Sequence, residues 1–186
     1  MRILVIAGSL RAQSFNAALG RAASDLAPEG AEVEVYEGLA NLPLYDQDLD
    51  ELHGDPPAAV RDLRKRIEDA DAVFVVTPEY NGSIPGVLKN AIDWVSARHR
   101  GSSLLNKTVA VAGATTGQYG AIWAQQDLRR VLGISGARVI EGEVPVSRAQ
   151  DVFDEEGRLR DPLVAERLRR HLETLVREAT AVPAAA

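Results

Sequence analysis

The chain has 186 residues, a net charge of −6, 46% apolar and 26% charged residues, and no cysteine. This length supports one buried core, and the composition excludes a disordered or fibrous chain. Without thiols there are no disulfides, thiolate metal sites, iron–sulfur clusters or cysteine nucleophiles, so any redox chemistry rests on a bound cofactor.

The first residues, MRILVIAGS, lack the n-region, long apolar core and cleavage site of a signal peptide and read as a strand of a cytoplasmic protein. Ile3 to Ala7 is a continuous aliphatic run, as expected of a strand covered on both faces. Ser14 to Ala27 then reads as a helix, Val33 to Tyr36 as an alternating strand, and LANLPLYDQDLD as a long loop. Pro56 and Pro57 open a helix to about Ala70. Ala72 to Thr77 is a third, wholly apolar strand. Ile84 to about Ala97 is a helix with Ile84, Val87, Leu88, Ala91, Ile92 and Val95 on one stripe and Lys89 and Asp93 opposite. A strand at Thr108 to Ala112, a helix at Ala121 to Leu132 and a strand near Arg138 to Ile140 follow. The last helix starts near Pro162, with Val164, Leu168, Leu172, Leu175 and Ala179 on its apolar face.

Five strands alternating with five helices predict an α/β fold, a doubly wound five-stranded parallel sheet in three layers. The pattern fits the flavodoxin-like order 2-1-3-4-5 as a single domain over residues 1–180, with 181–186 a frayed tail. Ligands of such sheets bind at the carboxyl ends of the strands, near the switch between the first and third. The loops there are GSLRAQSFN, PEYNGSIPG and GATTGQYG. The acidic balance of the chain disfavours nucleic acid and anionic membranes as partners, its apolar runs are too short to span a bilayer, and an anionic ligand needs its own positive site.

The first loop offers hydroxyls at Ser9 and Ser14, the Asn16 amide, the Arg11 guanidinium and the free N–H groups of a helix start, a set that suits a phosphate. The same residues also read as a plain helix cap at Ser14 with a solvated arginine. The loop has neither G-x-G-x-x-G nor the G-K-[ST] ending of a triphosphate loop, so a small phosphate monoester fits better. In the second loop Pro78 stiffens the exit from the strand, Gly82 and Gly86 permit close approach, and Tyr80 offers a ring face, features of a loop lying along a flat heterocycle or of a tight β–α connection. The third adds the Thr115 and Thr116 hydroxyls, Gly117 and Tyr119.

GSLRAQSFN matches G-S-x-R-x-x-S-x-N, and PEYNGSIPGVLKNAIDW matches P-E-Y-N-x-S-x-P-G-x-L-K-N-A-I-D-W. In these motifs the chain resembles the flavodoxin-like NAD(P)H-dependent FMN reductases, which include quinone, azo-dye and chromate reductases. The resemblance implies an FMN cofactor whose phosphate is held by Ser9, Arg11, Ser14 and Asn16, with Phe15 among the binding residues. It implies that Pro78, Glu79, Tyr80, Asn81, Gly82 and Ser83 follow the isoalloxazine edge, and that Thr115, Thr116 and Gly117 line the other side. NADPH or NADH then delivers hydride to the flavin and is replaced by a small-molecule electron acceptor, a ping-pong cycle in which the cofactor carries the chemistry and no side chain need act as acid or base. N–H groups near Asn81 and Gly82 are candidate donors to the reduced ring. Homodimers or homotetramers are implied as well. Two alternatives stand beside this reading: a reductase supplying free reduced flavin to a monooxygenase, and a non-catalytic electron carrier, against which Arg11 counts because classical flavodoxins lack it.

Other residues read as structural. His53, His99 and His171 lack metal-ligand spacing. Glu79 and Asp93 could suggest paired carboxylates, but Asp93 falls on the polar face of its helix and reads as solvated or engaged at a subunit contact, and DQDLDELHGD lacks the calcium-loop pattern, reading as a loop at the rim or an interface. Ile122 and Trp123 fall off the stripe of their helix, and Trp94 lies at the margin of its own. Each is either an exposed interface group or part of an irregular buried turn.

Overall fold

The apolar runs become the inner strands of one parallel sheet. The computed structural model describes residues 1–51, 55–96 and 101–181. His53, His99, the expected helix end at Ala97 and all of the expected tail beyond residue 181 lie outside them. In chain order come β1 (Arg2–Ala7), α1 (Phe15–Leu26), β2 (Glu32–Tyr36), α2 (Gln47–Glu51), α3 (Ala58–Asp69), β3 (Ala72–Thr77), α4 (Gly86–Val95), β4 (Thr108–Ala114), α5 (Ile122–Ile134), β5 (Arg138–Val139), β6 (Val144–Val146), α6 (Ala149–Val152) and α7 (Pro162–Thr180).

The sheet order is β2-β1-β3-β4-β5, with β6 paired to β4 as well. Every residue of β3 and β4 is buried. The two-residue period of the strands divides the core: Ile3, Val5, Phe74 and Val76 pack with Leu19 of α1 and Leu168 and Leu172 of α7, whereas Leu4, Ile6, Val73 and Val75 pack with Leu63 of α3, Ile92 of α4 and Leu128 of α5. Three layers follow directly from this alternation.

The outer position beyond β4 holds two short strands where the sequence predicts one. β5 pairs Arg138 and Val139 with Thr108 and Val109, and β6 pairs Val144 to Val146 with Ala112 to Ala114. Pro145 leaves β6 short of one N–H, which a strand paired with β4 at the sheet edge tolerates. The stretch LANLPLYDQDLD also differs from a plain loop: it contains a 3-10 turn at Gly38–Asn41 and most of α2. Asp50 of α2 is fully buried and meets Arg64 of α3 at 3.2 Å, and Arg64 also donates Nε to the Trp94 carbonyl at 3.1 Å. Trp94 is likewise buried, its Nε1 donating to the Pro43 carbonyl at 2.8 Å, so it is a core residue that clamps the segment after β2 against α4.

His171 of α7 is buried, with Nε2 3.0 Å from the Val111 carbonyl of β4. Burial, with a smaller contribution from the nearby Arg129, lowers its pKa against the opposing pull of the Val111 carbonyl, so the fold holds the ring neutral. The unfolded chain takes up this proton near pH 6.5, and the folded chain only at lower pH. Stability contributed by neutral His171 is therefore complete above about pH 6.5 and is lost as pH falls from there towards the folded pKa. Denaturant titrations at pH 7.5 and 5.5 should show a smaller drop for His171→Gln than for the parent chain.

Candidate functional site

The first loop leaves β1 under tight control. Gly8 N–H donates to the Val76 carbonyl at 2.7 Å, holding the exit of β1 against β3. A Cβ at Gly8 would lie 2.9 Å from the Leu88 side chain of α4, which would have to shift to admit it. Ser14 caps α1 with its Oγ accepting from Asn16 N–H at 3.2 Å and Ala17 N–H at 3.3 Å, which leaves the hydroxyl proton free to donate elsewhere. The peptide N–H groups of Ala12, Gln13 and Phe15 have no acceptor among the described residues. Arg11 is exposed, donates Nη2 to the Gln13 carbonyl at 3.0 Å, and lies 5.9 Å from the Phe15 ring centroid. Ser9 Oγ accepts from Arg11 N–H at 3.4 Å.

Asn16 does something the sequence does not disclose. Its carboxamide is buried and pairs with both polar groups of Ala114, Nδ2 donating to the carbonyl at 2.9 Å and Oδ1 accepting the N–H at 2.8 Å. The side chain read as a phosphate ligand thus extends the hydrogen-bond ladder at the end of β4 and ties the first loop to the third.

The second loop is a tight turn. Tyr80 and Ser83 exchange backbone hydrogen bonds of 3.0 and 3.1 Å around Asn81 and Gly82, whose φ values of 54° and 73° are those of a primed turn. The Asn-Gly pair supplies this conformation at little cost. Two side chains moor the turn to α5. Ser83 Oγ donates to Asp127 at 2.5 Å, and this hydroxyl together with Arg130 holds the Asp127 carboxyl below the ordinary carboxylate range. Glu79 Oε2 accepts the N–H of Ala124 at 3.1 Å, serving as the cap that Ala121, at φ 58°, cannot provide for α5. Glu79→Ala should lower stability by about 1 kcal/mol, the usual worth of a cap, and Glu79→Gln, which keeps an acceptor, should recover most of it in calorimetry.

The third loop hangs between β4 and the segment after β6. Thr115 N–H donates to the Val146 carbonyl at 3.0 Å, and Thr115 Oγ1 accepts from Gly117 N–H at 3.3 Å. Gln125, fully buried on α5, donates Nε2 to the Gly120 carbonyl at 2.9 Å and accepts the Val144 N–H at 3.2 Å. Gln125 falls at helical spacing between Ala121, Leu128 and Leu132, so its position on the apolar stripe of α5 marks it for burial although its residue type does not.

Ser9, Arg11, Ser14, Phe15, Asn16, Pro78, Glu79, Tyr80, Thr115 and Thr116 converge, with Ala114, on a cleft of about 220 Å³ at the carboxyl ends of β1, β3 and β4. Asn81, Gly82, Ser83 and Gly117 stand outside this lining, the first three in the moored turn. A further cleft of about 160 Å³, among Arg2, Glu34 and Arg66, lies at the other end of the sheet and is filled with ion pairs. The donor set of the larger cleft fits a dianionic phosphate: a guanidinium, hydroxyls and unpaired peptide N–H groups at a helix start, with its one carboxylate, Glu79, already bonded to a peptide. Pro78, Tyr80 and Phe15 supply flat apolar walls for a ring system. No group of acidic or histidine residues among those described could hold a metal ion.

A doubly wound parallel sheet with unpaired donors at a helix start and a flat-walled cleft at its switch point defines a flavodoxin-like α/β protein. A sequence model of the NADPH-dependent FMN reductase family matches residues 1–151. An NAD(P)H-dependent FMN reductase of Pseudomonas aeruginosa is 40% identical over 176 residues, covering 94% of this chain and 93% of that protein. A 2-hydroxy-1,4-benzoquinone reductase of a Burkholderia species is 36% identical over 177 residues, covering 95% and 92%. The solved structure of the flavoenzyme FerB, an NAD(P)H:(acceptor) oxidoreductase from Paracoccus denitrificans, superposes with a TM-score of 0.83 at 33% identity over 96% of this chain and 97% of its own. The chain belongs to the NADPH-dependent FMN reductase family and is an FMN-dependent NAD(P)H oxidoreductase.

Proposed function

We propose that this chain carries two electrons from NADPH or NADH to a quinone or similar acceptor, with FMN held in the cleft between the first, second and third loops. The observation that carries this reading is the convergence of ten motif and loop residues from three separate stretches on one cleft. The quinone class is supported by the relatives, among them the benzoquinone reductase.

The chemistry FMN supplies when bound is two-electron transfer between a nicotinamide and an acceptor. The residues of the chain hold and orient. Arg11, the hydroxyls of Ser9 and Ser14, and the N–H groups of Ala12, Gln13 and Phe15 bind the phosphate. Asn16 acts one step behind them by locking β4 to α1. Pro78, Glu79, Tyr80 and Ser83 flank the ring, the peptide N–H groups of Asn81 and Gly82 at the tip of the turn face its edge, and Thr115, Thr116 and Gly117 close the other side. Residues 1–180 act as one domain, a reading supported by two apolar cores that share a single sheet.

The working form is a homodimer or homotetramer in the cytoplasm. Supporting an assembly, Tyr119 and Trp123 pack together with ring centroids 4.8 Å apart, yet remain 54% and 47% exposed. A monomer mass independent of concentration in sedimentation overturns this part. No described helix is long and apolar enough to cross a membrane.

The test is a visible spectrum of the purified, FMN-reconstituted protein, followed without oxygen by NADPH or NADH and then by a quinone. The expected outcome is a flavin spectrum that bleaches with a nicotinamide and returns with the quinone. Failure to bleach with either nicotinamide overturns the reading.

A further inference from the structure

We propose that Phe153, beyond the family-matched segment, is a positioning residue of the phosphate site: by backing the Phe15 ring it holds Arg11 where the phosphate binds. The inference rests on the phosphate assignment made above for Arg11.

Phe153 follows α6 and is 5% exposed. Its ring stacks on Phe15 with centroids 5.9 Å apart and planes 27° from parallel, and the same Phe15 ring lies 5.9 Å from the Arg11 guanidinium carbon. Burial decreases stepwise along this series, from buried Phe153 through half-buried Phe15 to exposed Arg11. A long, exposed side chain whose other recorded contact is the Gln13 carbonyl needs a surface to rest on if it is to meet an anion without a large ordering cost. The Phe15 ring is that surface, and Phe153 fixes the ring.

The segment carrying Phe153 is itself secured at both ends. Upstream, Arg148 N–H donates to the Gly117 carbonyl at 2.9 Å and Ala149 N–H to the Thr115 carbonyl at 3.0 Å, so α6 hangs from the third loop. Downstream, Phe153 bridges Leu159, Arg160 N–H donates to the Val152 carbonyl at 2.9 Å, and Asp154 pairs with Arg158 at 2.8 Å and Arg160 at 2.7 Å. At Gly157 a Cβ would lie 3.6 Å from Ala18 and 3.2 Å from Arg21, so this small hairpin sits on α1. Residues 148–160 thereby brace the third loop against the first, from outside the cleft.

Phe153 is also a core residue, so the test must separate positioning from packing. Phe153→Leu and Phe153→Met both remove the flat ring while keeping most of the apolar volume; thermal unfolding shows which of them folds. The affinities of the flavin-free proteins for FMN and for riboflavin, which lacks the phosphate, are read from quenching of flavin fluorescence, alone and in an Arg11→Ala background. The expected result is FMN binding weakened about three- to fivefold, riboflavin changed by less than about twofold, and no further FMN loss once Arg11 is gone. Equal weakening for both flavins, no weakening, or a loss that simply adds to that of Arg11→Ala overturns the proposal. If Arg11→Ala itself shows no FMN-specific loss, the phosphate assignment falls and the role of Phe153 falls with it. If Arg11→Ala shows that loss and the Phe153 variants do not, only the role of Phe153 falls.

Discussion

Arg11→Ala should weaken FMN binding by about ten- to 150-fold, or 1.5 to 3 kcal/mol, while leaving riboflavin binding nearly unchanged. The reason is electrostatic. In a chain of net charge −6, Arg11 is the cation lining the cleft, and its guanidinium is engaged by a neutral carbonyl and a ring. No carboxylate among the described residues pairs with it, so its charge is available to a phosphate dianion. Because Arg11 is exposed, the FMN-specific part of the affinity should fall as salt is raised, and the Ala variant should lose that dependence. Arg11→Lys should recover part of the loss, because an ammonium keeps the charge without the planar fork or the extended face that rests on Phe15. Flavin titrations at two salt concentrations check each of these outcomes. An equal loss for FMN and riboflavin assigns Arg11 to loop structure instead.

Asn16→Ala should act differently, lowering stability by about 2 to 6 kcal/mol and weakening both flavins together. Each buried polar group of Ala114 left without its partner costs about 1 to 3 kcal/mol, and one substitution orphans both. For a chain of this size that corresponds to a fall in Tm of about 4 to 24 °C. Asn16→Leu, close in volume, should not rescue, since the deficit is in hydrogen bonding rather than in packing. Asn16→Asp should fall between the two, because it can still accept the Ala114 N–H but sets a carboxylate against the Ala114 carbonyl. Scanning calorimetry measures the stability change. The titrations that separate FMN from riboflavin for Arg11 should show no separation here, since the Asn16 carboxamide is held by Ala114 and acts through the placement of Thr115 and Thr116.

These two residues, five apart in one loop, show how far the sequence can be read. Arg11, Ser9 and Ser14 belong to a loop whose spacing after a strand already suggests an anion site, because a helix start has unpaired donors whatever surrounds it. Asn16 belongs to the same motif, yet its partner is 98 positions away at the end of β4, and only the folded chain brings the two together. Glu79 and Ser83 are similar cases. Their motif reads as a flavin-edge loop, and the structure adds that they cap and moor α5. Trp94 and Asp50 show the opposite limit. Their polar or marginal positions give no sign of burial, which comes from the segment after β2 folding back over α4.

The sequence by itself determined the strands, the helices, their parallel order and the end of the sheet at which the loops gather. Each follows from short-range rules: continuous apolar runs need cover on both faces, and right-handed crossovers leave few ways to order the strands. Only the tertiary structure decided that the edge beside β4 is shared by two short strands, that Asn16 and Gln125 are internal ties, and that residues 148–160 hang from the third loop and rest on α1. Those features depend on hydrogen bonds and ring contacts between distant segments. Whether a polar side chain faces water or a buried peptide is settled by what packs over it, and no local pattern encodes that.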